Sequence, residues 1–321
     1  MTSRMWLGTA VVAFVGAALV LPFIGPSALD LAALARRQEP DWSIFVQLRI
    51  SRTLLGLFAG AALSLGGALF QAMLRDSLAT PYTLGVSTGA SLGAVVAIAA
   101  GWNSHASLPP TWVGALGGGV IALALVVGVT ATREGLAPYR LLLAGIALNS
   151  VCSALILLVY SVTSLSSSFA ITRWLIGSLD AMPLPQLGVF VVFTVATGVL
   201  IVREGRSWTL LSIGETWAAT RGVDVMRLTR VGYLAGSALT AVTVAVAGPI
   251  GFVGLMVPHL VRVRVSADAR VLMPCAFCFG GALLAVCDAI GRAVVAPAEV
   301  PAGAITACIG GPYLVWLVRR R

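Results

Sequence analysis

The side chains of this chain that could carry out chemistry are few and scattered. Cys275 and Cys278 form a CxxC pair, whose spacing suits a metal or redox site. Their segment, MPCAFCFGG, is apolar and lacks a second ligand pair, so we interpret both cysteines as small buried hydrophobes. An HExxH zinc motif and a cluster of His, Cys and Asp are also absent from the sequence. We therefore expect no catalytic centre, no metal site and no cofactor.

Acidic side chains are nearly missing from the apolar segments. Asp288 is the one acid inside a long apolar run, and Arg292 follows it four residues later. Residues at i and i+4 share one face of a helix, so this spacing predicts an ion pair with a structural or docking role. A secondary transporter driven by protons needs intramembrane acids, and a polytopic membrane enzyme needs a catalytic cluster. These two classes stay open as alternatives, although the sequence disfavours both.

The elements that must position these residues are membrane helices. Of the 321 residues, 59% are hydrophobic and 10% are charged, whereas a soluble domain has roughly a quarter of charged residues. A helix that spans a bilayer needs about 20 apolar residues. The apolar runs predict an all-α, polytopic membrane protein with about ten transmembrane helices, in a single domain over residues 1–321. The runs, of which the third and eighth are short, are 5–24, 50–74, 87–101, 111–131, 139–161, 187–202, 229–247, 250–263, 271–295 and 302–318.

The placement of arginine predicts the orientation. All 21 basic residues are arginine, so the lysine that a Walker A loop requires is absent and the chain is no standard P-loop ATPase. With a cytoplasmic N-terminus, the cytoplasmic segments hold 15 arginines and the outer segments hold 6, as the positive-inside rule requires. We therefore expect a multi-pass inner-membrane protein, surrounded by lipid, with both termini cytoplasmic. The arginines form no basic patch, which argues against nucleic acid as a partner.

The longest polar stretch is the predicted cytoplasmic loop at about 203–230. Its segment LLSIGETWAATRGVDVMRL (210–228) has charges on one side and apolar side chains on another, and Gly214 and Gly222 break it into short helices. A solvated connector is the alternative interpretation, but connections between spans are rarely this long. The amphipathic pieces therefore favour docking onto a partner.

Small residues recur at four-residue spacing in several spans. Such stripes let helix backbones approach closely where lipid provides no hydrophobic drive for association, so they predict a tightly packed bundle. The stripes are Gly56, Gly60 and Ser64; Gly89 and Gly93; and Gly232 and Gly236.

Several long motifs in a fixed order resemble one known family. LRISRTLLGLFAGAALSLGGALFQAMLRDSLATPYTLGVSTGASLGA (48–94) resembles the opening signature of the FecCD-type permeases, which import iron–siderophores, haem and cobalamin. LLLAGIALN (141–149), RWLIGSLD (173–180), the 210–228 segment, VAGPIGFVGLMVPHLVR (246–262) and CDAIGRAVVAPAEVPAGAITACIGGPYLVWLVRR (287–320) resemble its later segments in order. The resemblance covers nearly the whole chain. One departure is the turn after the eighth run, where Ser266 to Arg270 replaces a Gly-x-Asp-His-Arg-like sequence.

The resemblance implies a binding-protein-dependent ABC importer. In it, this chain is the membrane-spanning permease, a bundle like that of the cobalamin importer, and a homodimer forms the translocation path. Two separate ATP-binding subunits hydrolyse ATP, and a periplasmic or lipid-anchored substrate-binding protein delivers the cargo. The expected cargo is a metal chelate, foremost an iron–siderophore complex, with haem or cobalamin as the alternatives.

The resemblance also implies functional residues. The ATPase-coupling positions are Gly214, Glu215, Ala218, Arg221 and Gly222. The arginines expected to receive the binding protein are Arg49, Arg52 and Arg292, for which contact with lipid headgroups is the alternative. The polar positions expected to line the pathway are Asn149, Ser150 and Ser153, for which hydrogen bonds between helices are the alternative. The residues that resemble the inner gate are Asp76, Ser77 and Leu78.

Overall fold

The computed structural model describes residues 3–25, 30–102, 109–132, 135–136, 138–295 and 298–319. These residues form a bundle of helices, which confirms the all-α class, and their β-structure is limited to two antiparallel strands, β1 (Ala131–Thr132) and β2 (Gly135–Leu136). A 3-10 turn, Leu21–Phe23, follows the first helix, and a π-helical stretch, Ile44–Ile50, continues directly into the fourth. The helices are α1 (Ser3–Val20), α2 (Leu31–Ala35), α3 (Asp41–Ser43), α4 (Ser51–Leu74), α5 (Val86–Ala99), α6 (Pro110–Thr130), α7 (Pro138–Val162), α8 (Leu165–Ile176), α9 (Leu184–Arg203), α10 (Gly205–Ile213), α11 (Glu215–Thr220), α12 (Val225–Ala247), α13 (Val253–Arg264), α14 (Ala269–Ala293) and α15 (Ala302–Arg319).

Seven helical segments in the described part of the chain are long and apolar enough to cross a membrane. They are Arg4–Phe23, Asp41–Leu74, Pro110–Thr130, Tyr139–Val162, Leu184–Arg203, Val225–Ala247 and Ala269–Ala293. Each of the ten predicted apolar runs coincides with a described helix, and the two short runs are the 14-residue α5 and the 12-residue α13. A count of ten crossings stays a prediction.

Helix α8 is an element that the apolar runs did not predict. It has 12 residues and one buried side, with Ile171 inside and Leu165 and Phe169 exposed, so no continuous apolar run marks it. Its ends do carry local signals. The Ser164 hydroxyl accepts a hydrogen bond from the Ser167 N–H at 3.4 Å, and Gly177 ends the helix with a φ of +77°.

Helix α4 lies at the centre of the bundle, with most of its side chains buried. The predicted small-residue stripes form its contacts and those of α5 and α12, since a Cβ added at these glycines would collide with a neighbouring element. This arrangement confirms the tight packing that the spacing indicated. The contacts of the predicted stripes include Gly60 with Gly280, Gly89 with Gly118, Gly93 with Gly114, and Gly236 with Phe70.

Helices α4 and α14 run antiparallel and separate two polar ends of the molecule. At one end Arg52 contacts Asp288, and at the other Arg75, which follows α4, contacts Glu215. A rise of 1.5 Å per residue places the two ends of α4 about 35 Å apart. The residues predicted to be outer and those predicted to be cytoplasmic thus gather at opposite ends of the bundle. Which end faces the cytoplasm stays a prediction.

Candidate functional site

The first polar end is built around the Asp288 carboxylate. Asp288 lies near the end of α14 and is 1% exposed. The Arg52 guanidinium, at the start of α4, donates to Asp288 Oδ2 from Nε at 3.2 Å and to Asp288 Oδ1 from Nη2 at 2.9 Å. Its Nη1 donates to Glu299 Oε2 at 2.8 Å. This forked geometry suits arginine, whose planar group can hold a carboxylate with two parallel hydrogen bonds.

Two further arginines complete the cluster. Arg292 Nε lies 3.0 Å from Asp288 Oδ2, which confirms the ion pair predicted from the four-residue spacing. Arg292 Nη1 also donates to the Ile24 carbonyl at 3.0 Å, and Arg49 Nη1 donates to the Phe23 carbonyl at 3.4 Å. The cluster therefore joins the end of the first span to α4 and α14.

The three arginines expected to receive the binding protein differ in exposure. The Arg52 side chain is 14% exposed, whereas Arg49 and Arg292 are buried at 4% and 3%. Removal of one partner from a buried ion pair leaves an uncompensated charge, so this cluster has a structural role whatever else it does. The structure brings the three residues together, and their role in docking stays a prediction.

The second polar end contains the predicted coupling segment. The segment forms α10 and α11, separated by Gly214, and Ala218 is fully buried. The Arg221 guanidinium lies over the Trp217 ring, 4.6 Å from its centroid, and Trp217 is 48% exposed. Gly222 follows with a φ of +81°, a backbone conformation that favours glycine. The apolar and aromatic surface of α11 is thus available to a partner at this end.

The residues that resemble the inner gate adjoin the coupling segment. Arg75 ends α4 in the left-handed conformation with a φ of +56°, and its Nη2 lies 2.8 Å from Glu215 Oε1. Asp76 Oδ1 then accepts a hydrogen bond from the Leu78 N–H at 2.9 Å, which closes a turn with Ser77 at its centre. Leu78 is 45% exposed. The ion pair between Arg75 and Glu215 connects the residue before this turn to α11, and the sequence did not indicate it.

The turn that departs from the family pattern is tied to α10. The Thr209 hydroxyl lies 3.1 Å from Asp268 Oδ1 and accepts a hydrogen bond from the Ala269 N–H at 2.9 Å. Asp268 also caps α14 through the Arg270 N–H at 3.0 Å. Hydrogen bonding from the Arg270 guanidinium lowers the pKa of the Asp268 carboxyl. The contact that connects the coupling segment to α14 therefore uses a threonine and an aspartate, of which only the aspartate cap had a sequence signal.

The three predicted pathway residues on α7 have different surroundings. Asn149 donates to the Tyr82 carbonyl at 2.8 Å and accepts a hydrogen bond from the Thr88 hydroxyl, so it serves a contact between helices. Ser150 donates to the Ile146 carbonyl of its own helix at 3.1 Å, and Ser150 and Ser153 are exposed. The geometry favours the structural interpretation for Asn149 and leaves the two serines on an open face.

Two motifs that suggest catalysis lack the geometry of a catalytic site. Cys275 is buried and Cys278 half-buried, and the described residues hold no group of three metal-ligating side chains. GVSTG (85–89) does match the GxSxG pattern of hydrolases, although the sequence was expected to hold no catalytic motif. Its Ser87 is fully buried in the first turn of α5, which follows a turn instead of a strand. The strand-to-helix elbow that exposes a nucleophile is thus not formed there.

Comparison with known proteins identifies relatives over nearly the whole chain. Residues 7–320 match the model of the FecCD transport family. The chain is 34% identical to the hemin transport system permease protein of Yersinia pestis, over 99% of this chain and 96% of that protein. It is 36% identical to the ferric enterobactin transport system permease protein of Escherichia coli, over 88% and 84%. It is also 36% identical to the vitamin B12 import system permease protein of an Escherichia coli strain, over 87% and 85%.

The fold has counterparts among solved structures. An ABC transporter assigned to the metal-chelate type, solved in an inward-facing conformation, matches with a TM-score of 0.85 and 28% identity over 100% of both chains. The PsaBC complex of Streptococcus pneumoniae matches with a TM-score of 0.56 and 14% identity, a likeness that concerns the fold alone. The family model, the relatives and the order of the sequence motifs agree. The chain belongs to the FecCD transport family.

Proposed function

We propose that this chain is the membrane-spanning permease subunit of an ABC importer for metal chelates. The observation that carries the proposal is the similarity, along nearly the full length, to permeases named for hemin, ferric enterobactin and vitamin B12. The geometry supports it, because an apolar bundle separates a cluster of three arginines from a glycine-broken, partly aromatic segment about 35 Å away. One end suits a protein with acidic docking residues, and the other suits an ATPase.

Energy coupling in this proposal comes from a separate chain. The absence of lysine excludes a Walker A loop here, so two ATP-binding subunits bind the α10–α11 segment on the cytoplasmic side. Gly214, Glu215, Ala218, Arg221 and Gly222 form or shape that contact. Both termini then lie in the cytoplasm, and a homodimer of this chain forms the path in the inner membrane. A periplasmic or lipid-anchored binding protein delivers cargo to the arginine cluster.

We propose an iron–siderophore complex as the cargo. The relatives named for ferric enterobactin and for hemin have similar sequence identity to this chain, so identity does not distinguish the two cargoes. The choice between them depends on the chemistry of the side chains that would meet the cargo. The exposed face of α7 combines the Ser150 and Ser153 hydroxyls with aliphatic side chains, and a siderophore complex presents both polar and apolar surface. Haem and cobalamin are the alternative cargoes.

The direct test is transport in proteoliposomes that contain the complete transporter and its loaded binding protein. Uptake of a radiolabelled ferric siderophore is expected to require ATP and to be insensitive to a collapsed proton gradient. Uptake of hemin or cobalamin without uptake of the ferric siderophore would contradict the proposed cargo. It would leave the proposed importer class intact. Uptake that follows the proton gradient without ATP would overturn the class in favour of a secondary transporter.

A further inference from the structure

Two adjoining cavities lie between α6, α9 and α12 at the predicted outer end. One is partly polar, with a volume of about 260 Å³, and sits beside the 177–183 turn. The other is an apolar groove of about 740 Å³ that continues along α9, where Val189 is 73% exposed. Trp112, Pro183, Gln186 and Val246 line both cavities, so the two are continuous. Together they form an amphipathic site on the outside of the bundle.

The polar cavity contains the chemistry that attracts a cation. Trp112 and Trp174 line it together with Asp180. Indole faces attract ammonium groups through the ring quadrupole, and the carboxylate adds a full negative charge. Both tryptophans pack against the cluster of Ala90, Ala94, Ala115, Val244 and Ala245, which fixes their positions. Tryptophan is also the residue enriched at the boundary between headgroups and hydrocarbon, where a polar cavity opens into an apolar groove.

The cavity also distinguishes between kinds of cation. The side chains of Thr111, Ser178 and Asp180 supply oxygen acceptors, and the described lining has no basic group. A primary ammonium has three N–H donors for such acceptors, whereas a trimethylammonium has none. Just outside the cavity, Arg173 Nη2 lies 3.5 Å from Asp180 Oδ1 on an exposed surface. An arginine there suits a phosphate group.

We propose that these two cavities bind one phospholipid with an ethanolamine headgroup. Its ammonium lies against Trp112, Trp174 and Asp180, its phosphate lies next to Arg173, and an acyl chain fills the groove along α9. Each part of such a lipid thus has a counterpart: a base for its phosphate, an acid with aromatic side chains for its ammonium, and an apolar groove for its acyl chain. This binding site is separate from the arginine cluster, from the coupling segment and from α7.

The test is native mass spectrometry of the full chain, purified with its partner subunits, in equimolar ethanolamine, choline and glycerol phospholipids with identical acyl chains. The ethanolamine lipid is expected to be retained about two- to fivefold over the other two. The preference over the glycerol lipid comes from one partly exposed cation–π contact, and the preference over the choline lipid comes from hydrogen bonds that only the primary ammonium donates. Asp180→Asn is expected to remove both preferences, and Trp112→Leu is expected to remove the preference over the glycerol lipid. The matched controls Asp30→Asn, an exposed helix cap, and Trp102→Leu, which lines a different groove, should keep it.

Equal retention of the three headgroups in the wild-type chain would overturn the proposal, and so would an equal loss in the control variants. Asp180 is exposed, so Asp180→Asn preserves the fold even if Trp112→Leu does not, and thermal unfolding verifies both variants. Disulfide cross-linking between two copies through Val189→Cys would also overturn the proposal, because a second copy would then cover the groove.

Discussion

At the scale of single residues, Asp288 organises the first polar end. Its carboxylate contacts Arg52 and Arg292, which lie on different helices. Oδ1 contacts Arg52 and Oδ2 contacts Arg292. Glu299, in contrast, contacts Arg52 from an exposed position. The same cluster thus contains one acid that is buried and one that is open to solvent, and the two acids allow separate tests of stability and of docking.

Asp288→Ala is expected to destabilise the chain by about 3–5 kcal/mol, because it leaves the buried Arg292 guanidinium without its counterion. Asp180→Ala is the matched control, since the ion pair of Asp180 with Arg173 is exposed and contributes about 0–1 kcal/mol. Thermal unfolding in detergent measures both variants. Equal losses of stability would show that the buried cluster has no special role.

Glu299→Gln is expected to increase the rate at which the loaded binding protein associates, because it leaves the Arg52 charge uncompensated on its exposed side. Arg52→Gln should lower that rate. Both effects should shrink as salt rises and the Debye length falls from about 30 Å at 0.01 M to about 10 Å at 0.1 M. Stopped-flow association at several salt concentrations measures this. If both variants associate with the binding protein at the wild-type rate in low salt, the arginines do not take part in docking.

At the scale of elements, α10 and α11 depend on two kinds of attachment. Glu215 connects α11 to Arg75 at the end of α4, and Thr209 connects α10 to the turn before α14. These contacts connect the segment to the two central antiparallel helices, so in the proposed transporter a movement of the ATPase would reach those helices through it. Gly222 sets the direction in which the chain leaves α11.

Gly222→Val is expected to leave the protein folded and to uncouple ATP hydrolysis from transport. A β-branched residue is strained at a φ of +81°, so valine should change the direction in which the chain leaves α11. Gly101→Val is the matched control at the opposite end. Gly101 also has a positive φ, +59°, and at both glycines the described structure leaves open space around an added Cβ. ATPase activity and uptake are measured in parallel. Normal uptake by the Gly222 variant would contradict the assignment.

Thr209→Val is expected to loosen α10 from α14, because valine keeps the shape and loses the hydroxyl that contacts Asp268 and Ala269. The loss is about 1 kcal/mol for each of the two hydrogen bonds, so the amide protons of α10 should exchange up to about thirtyfold faster. Hydrogen–deuterium exchange measures this. Thr220→Val serves as control, since its hydroxyl donates only within α11 on an exposed surface. Unchanged protection of α10 would show that the contact does not hold it.

At the scale of the whole molecule, α7 is among the least buried of the long apolar helices that the structure describes. About 17% of its residues are buried, the same share as in Arg4–Phe23, against 89% in the Asp41–Leu74 span. Its open side carries Leu157 and Leu158 together with Ser150 and Ser153. In the proposed homodimer this face borders the translocation path, whereas the open face of α9 borders lipid.

After replacement of the five native cysteines, Ser153→Cys is expected to react with a water-soluble thiol reagent in at least one transport state. Asn149→Cys should react far more slowly, because Asn149 lies against Tyr82 and Thr88. Val189→Cys, which is exposed in the isolated chain but faces lipid in this proposal, should stay protected. Complete protection of Ser153→Cys in every transport state would contradict the proposal that this face of α7 borders the translocation path.

Several features of the molecule follow from local properties of the sequence. Apolar runs predicted the positions of the long helices, and four-residue spacing predicted both the glycine contacts and the pair of Asp288 with Arg292. Each of these signals lies within one helix, where 3.6 residues per turn determine which side chains share a face. Long motifs in a fixed order were sufficient for the family, because each motif holds many residues.

Only the tertiary structure decided which distant residues meet. Arg52 and Asp288 are 236 positions apart, and Arg75 and Glu215 are 140 apart. Such pairs depend on which helices pack together and in what register, and hydropathy contains no information about either. The same holds for Asn149, whose hydrogen bonds with Tyr82 and Thr88 the sequence did not indicate, while its place in the pathway stays a prediction. The cavities beside Trp112 likewise arise from three helices at once, so no single segment of the sequence could have indicated them.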